Sequence, residues 1–69
     1  MYLKRGDNMN PIRQHRLLAK MEQVDLARKM GVSRVTISRW ENGQSYPSVP
    51  KFKELAEVLG CSMEELIDE

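Results

Sequence analysis

The chain has 69 residues, a formal net charge of +1, 41% hydrophobic residues and a single cysteine, Cys61. A chain this short buries only roughly 60% of its unfolded surface, which excludes two independent cores and implies a stability of a few kcal/mol. One cysteine excludes an internal disulfide or a cysteine metal cluster, and no apolar run matches a membrane span or a signal peptide, so the expected location is the cytoplasm.

Residues 1–9 have no helical period, and Gly6-Asp7-Asn8 is a turn composition. They are expected to form an N-terminal arm, either frayed or held through Lys4 and Arg5 against an anionic partner. The folded domain is expected over 10–69. Asn10 caps a first helix and Pro11 takes its first position, where a missing N–H costs nothing. This helix is expected to reach about Lys20, with Ile12 and the Leu17–Ala19 region turned inward. Arg13 and Arg16 lie along it. His15 has no ligand partner at helical spacing and reads as a surface residue.

A second helix starts at Glu22-Gln23. Glutamate is a poor N-cap, although its charge suits the positive end of the helix. Leu26, Ala27 and Met30 recur at the spacing of one buried face. Gly31 ends the helix, since glycine enters the left-handed C-cap conformation without penalty. Ser33 caps the next helix, and Ile37 and Trp40 continue the buried face. A small residue, a glycine four later and a β-branched apolar residue six after that mark a helix-turn-helix.

At about 100° of turn per residue, Arg34, Val35, Ser38, Arg39 and Asn42 fall opposite Ile37 and Trp40, with Thr36 and Glu41 at the flanks. This outward face carries two arginines, short polar groups and one valine, and no acid. Arginine donors suit guanine O6 and N7, and an apolar side chain suits the thymine methyl. Val35 either meets such a methyl or is an idle surface valine. Asn42-Gly43 ends the helix and Gln44-Ser45-Tyr46-Pro47 forms a loop. Ser48 caps a fourth helix whose face is lined by Val49, Phe52, Leu55, Ala56 and Leu59, ending at Gly60. Cys61 follows as a small buried hydrophobe. Ser62-Met63-Glu64-Glu65 is a capping box opening a last short helix with Leu66 and Ile67. The expected fold is all-α, five helices around one core.

The near-zero net charge conceals a split. Residues 1–39 hold nine Lys/Arg against three acids, a charge of +6, and residues 40–69 hold two Lys against seven acids, a charge of −5. A dipolar chain presents one basic surface while staying near neutral as a whole.

LARKMGVSRVTISRWENG, the pair Pro47-Ser48 and LAEVLGCSMEEL together resemble the lambda-repressor and Cro-type helix-turn-helix family, from about Asn10 to Ile67. The resemblance implies a five-helix DNA-binding domain and a transcriptional regulator, a repressor by expectation, bound as a homodimer to double-stranded DNA with a (pseudo)palindromic operator. It implies that Gln23 anchors a DNA phosphate and that Arg16 clamps Glu41 to fix the recognition helix, residues 34–42. Arg34 falls where relatives place a base-reading side chain, joined on that face by Val35, Ser38 and Arg39; Arg39 alternatively holds a phosphate. Phosphate contacts are expected from Arg13, Ser33, Thr36, Asn42 and the Gly43, Gln44, Ser45 and Tyr46 loop, with Tyr46 alternatively packed on Trp40. Relatives pair through their C-terminal portions, which makes Leu66 and Ile67 the dimer candidates, unless both belong to the core. No cofactor, metal, membrane partner or enzymatic activity is expected, since no nucleophile–base pair or phosphate loop is present. The alternative class is a protein-interaction module or antitoxin binding an unidentified protein partner, and such a module has no need of Arg34 and Arg39 flanked by phosphate-binding groups.

Overall fold

A computed structural model describes residues 10–67, so the expected arm of residues 1–9, with Lys4 and Arg5, lies outside the described residues. Four α-helices follow one another: α1 Pro11–Leu18, α2 Gln23–Met30, α3 Arg34–Glu41 and α4 Val49–Leu59. Among the described residues there is no strand. The expected fifth helix is a single 3-10 turn, Glu64–Leu66, after which the chain goes extended at Ile67. The capping box is present, with Ser62 Oγ accepting the Glu65 N–H at 3.2 Å and Glu65 Oε1 accepting the Ser62 N–H at 2.9 Å. Three residues with one buried anchor cannot extend it, because helix propagation repays nucleation only over longer runs.

Each helix begins on a side chain that meets an orphan N–H. Asn10 Oδ1 accepts from the Ile12 and Arg13 amides, Ser33 Oγ from Thr36 and Ser48 Oγ from Lys51. For α2 the weak Glu22 cap is compensated one turn later, where the Asp25 carboxylate accepts the Glu22 N–H at 3.0 Å. All four helices end in the same closed turn, with an amide reaching back five residues: Met21 to Arg16, Val32 to Ala27, Gln44 to Arg39 and Cys61 to Ala56. The residue before each of these amides is left-handed, and three of the four are glycines. The exception is Lys20, at φ 60°.

The core consists of Ile12, Leu26, Ala27, Met30, Ile37, Trp40, Leu55, Ala56, Leu59 and Leu66, with Met21, Val32, Phe52, Val58, Cys61 and Met63 packed against it. α2 lies against α3 and α4, while α1 lies against α3 and the final turn. Ala27, without bulk beyond Cβ, is buried on α2, the helix that lies against α3 and α4. Lys51 Nζ donates to the Met30 carbonyl at 2.8 Å, joining the start of α4 to the negative end of α2.

Two core expectations are corrected. α1 ends at Leu18, not near Lys20, and Leu17, Leu18 and Ala19 face solvent, Leu18 at 74% exposure. The inward positions of α1 are Ile12 and Arg16, four residues apart; the next two positions turn 100° and 200° away from Arg16. Val49 has the right phase in α4, yet it is exposed because it sits at the helix's first position, beyond the edge of the core.

Candidate nucleic-acid interface

Four polar residues from three helices are joined behind the helix-turn-helix. Arg16 on α1 donates through Nε to Glu41 Oε2 at 2.6 Å and through Nη2 to Glu41 Oε1 at 3.2 Å. Its third contact, Nη1 to the Met21 carbonyl at 2.8 Å, gives the last guanidinium nitrogen a partner as well. Gln23, the first residue of α2, donates through Nε2 to Glu41 Oε1 at 3.0 Å. Its own Oε1 accepts from Arg34 Nη1 at 2.9 Å. The order is therefore Arg16, Glu41, Gln23, Arg34, running from the buried end of α3 to its exposed start.

Arg16 and Glu41 are the two buried charged residues among those described. Two parallel N–H···O bonds to one carboxylate are the strong form of this contact. Asn10 adds a second tie, with Nδ2 donating to the Trp40 carbonyl at 3.3 Å. α3 is thus fixed at its C-terminal end by α1 and at its N-terminal end by α2.

The outward face of α3 presents Arg34, Val35 and Arg39, with Asn42 just beyond the helix, all exposed, and Ser38 half-buried between them. Asn42 Nδ2 approaches Ser38 Oγ at 3.4 Å. Ser33 Oγ and Thr36 Oγ1 share a hydrogen bond of 3.0 Å at the first turn. Glu41, the one acid of α3, is turned inward and neutralised by Arg16. Arg13 is exposed on α1.

The loop after α3 differs from expectation. The Gly43 N–H donates to the Trp40 carbonyl, and those of Gln44 and Ser45 donate to Arg39. These three amides close α3, so they are not presented to phosphate, and Gly43 has no side chain to offer in their place. The loop's remaining groups for an anion are the Tyr46 N–H and the Gln44, Ser45 and Tyr46 side chains. Tyr46 is 73% exposed, whereas Trp40 is buried.

The two dimer candidates separate. Leu66 is 2% exposed and belongs to the core, because the 3-10 turn folds it against α1; it cannot serve a partner surface. Ile67, the next residue, is exposed. The Gln23 link to Arg34 was not foreseen: helical phase places each residue on a face but carries no information about pairing across a turn.

Among the described residues no helix is long and apolar enough to cross a membrane. A helix-turn-helix family model matches residues 12–66. The uncharacterized HTH-type transcriptional regulator MJ0272 of Methanocaldococcus jannaschii is 37% identical over 57 residues, covering 83% of this chain and 86% of that protein. The HTH-type transcriptional activator BcrR of Enterococcus faecalis is 32% identical over 56 residues, covering 81% of this chain but 28% of that protein. The crystal structure of the P22 c2 repressor protein in complex with synthetic operator 9T superposes with a TM-score of 0.77 at 35% identity, covering 83% of this chain and 86% of that one.

Proposed function

The chain belongs to the lambda-repressor and Cro-type helix-turn-helix family of DNA-binding transcriptional regulators, and from that premise we propose that it is a sequence-specific repressor, a homodimer that lays α3 in the major groove of a (pseudo)palindromic operator. One observation carries the reading. The outward face of α3 offers Arg34, Val35, Ser38 and Arg39, while the helix's single acid is buried against Arg16. A face of donors and one methyl surface, cleared of negative charge, suits base edges beside phosphates.

In this reading Arg34 contacts guanine and Gln23 serves it twice. Its carbonyl oxygen holds Arg34, and its carboxamide nitrogen, which donates one hydrogen to Glu41, has a second for phosphate. Arg39 reads a second base or holds a phosphate. Ser33, Thr36, Asn42, Arg13 and the side chains of Gln44, Ser45 and Tyr46 set register on the backbone. The homodimer uses Ile67 and neighbouring exposed surface, without Leu66. Half-sites then lie about one helical turn apart, on the order of 34–36 Å.

The direction of control is the finer part of the proposal, since one relative is named an activator and the structural neighbour is named a repressor. Selection of bound sequences from random duplexes tests the DNA reading. An enriched inverted repeat supports it, whereas recovery of unrelated duplexes counts against sequence recognition. Repression is tested by placing the selected repeat over a promoter and measuring transcription with and without the protein.

A further inference from the structure

We propose that His15, Cys61 and Glu65 form a binding site for one zinc-class transition-metal ion, which ties the C-terminal turn to α1. The donor atoms of the three residues, an imidazole nitrogen, the Cys61 sulfur and a carboxylate oxygen, all lie within 4.8 Å of one another. They come from three separate places in the chain: α1, the turn after α4 and the 3-10 turn. None of them belongs to α2, α3 or the loop after α3.

The local structure holds these groups where they are. His15 lies about 60° around the helix from Ile12, on the side away from Arg16, and is half-buried at the edge of the core face of α1. Cys61 follows left-handed Gly60, and its N–H donates to the Ala56 carbonyl at 3.0 Å, which fixes its backbone against the end of α4. Its side chain packs against the core. Glu65 is anchored by the capping box through Oε1, leaving Oε2 for a ligand. A ligating carboxylate is commonly held by a second hydrogen bond of this kind.

The donor set selects the ion. One imidazole, one thiolate and one carboxylate suit zinc or cobalt, whereas calcium and magnesium take oxygen ligands. With metal–ligand bonds of about 2.0–2.3 Å in a tetrahedron, donor atoms stand roughly 3.3–3.5 Å apart. Closing from 4.8 Å needs on the order of 1 Å of movement, within reach of rotation in an exposed glutamate and a half-buried histidine. Three protein ligands leave the fourth position to water.

The test is titration of the untagged, reduced chain with cobalt and zinc ions, followed by absorption spectroscopy and calorimetry. One ion per chain and a thiolate-to-cobalt charge-transfer band are expected, with a raised Tm in zinc because the ion binds the folded state. His15→Ala, Cys61→Ala and Glu65→Gln are each expected to weaken zinc binding by about tenfold or more, the scale that even outer-shell losses reach. Glu65→Gln keeps an oxygen to accept the Ser62 N–H, so its effect reports the ligand and not the cap. Circular dichroism establishes that each variant retains its helices. Absence of the charge-transfer band in the unaltered chain would overturn the proposal, as would equal zinc affinity in Cys61→Ala. A ratio of one ion to two chains would also overturn it.

Discussion

Arg34 donates to the Gln23 carboxamide oxygen at 2.9 Å across the turn that joins α2 to α3. The first residue of the recognition helix is therefore aimed by the first residue of the helix before it, and Gln23 is in turn held by Glu41. In the proposed complex, an arginine positioned in this way loses less conformational freedom on meeting DNA. Gln23→Ala and Arg34→Ala are accordingly expected to be non-additive in operator affinity, with a coupling of about 0.5–3 kcal/mol. A double-mutant cycle measures it; simple additivity would mean that Gln23 acts on phosphate alone.

Arg16 and Glu41 make the opposite end of the same chain of contacts. Their side chains are 8% and 2% exposed, so removing one partner leaves a buried charge without compensation. Arg16→Met is expected to cost about 3–5 kcal/mol, most of the stability of a domain this size. Arg16→Met combined with Glu41→Leu should recover much of the loss, because the uncompensated charge is gone. Urea unfolding of the three variants checks this order.

Lys20 occupies the left-handed position of the closed turn after α1, a position that glycine fills after the other three helices. Its side chain is exposed and makes no part of the core. Lys20→Gly is expected to stabilise the protein by up to about 1 kcal/mol, the left-handed strain relieved less the added freedom of the unfolded chain. Thermal unfolding decides the sign.

The Cys61 thiol is pushed above its ordinary pKa, first by burial and then by the negative charge of Glu65. Less thiolate is therefore present near neutral pH, and metal-free protein should alkylate more slowly than a free cysteine peptide, catching up as pH rises. Glu65→Gln removes the electrostatic part and should speed the reaction at a fixed pH. Equal rates in the two proteins would show that Glu65 does not act on the thiol.

Local signals in the sequence were legible where the physics is local. Asn10, Ser33 and Ser48 cap helices, and Gly31, Gly43 and Gly60 end them, because each acts on backbone within a few residues. The phase of α3 was legible from Ile37 and Trp40, which are buried. Resemblance, not periodicity, paired Arg16 with Glu41, and the two are 25 residues apart in sequence. Apolar identity misled at Leu17 and Leu18, where a charged residue takes the inward position of α1 and finds its partner across the core. The Gly43–Ser45 amides misled for a related reason: their use depends on how α3 ends, and the closed turn claims them first. The juxtaposition of His15 with Cys61 and Glu65 joins residues about 46 to 50 apart, beyond any helical spacing.

Binding is expected to weaken steeply with salt. Each phosphate neutralised by Lys or Arg contributes about 0.9 to the slope of log K against log salt, so a dimer using Arg13, and Arg39 where it holds a phosphate, should show a slope of about 2–4 units. A flat response would argue against a groove-bound complex.

The most direct measurement of the central claim, that α3 reads DNA through Arg34, is the affinity of Arg34→Ala for a panel of single-base changes in the selected operator. The account predicts a loss of about 1–3 kcal/mol per half-site together with a relaxed preference at one base pair. A uniform loss across the panel, with the base preference of the unaltered protein intact, would contradict it and make Arg34 a phosphate contact.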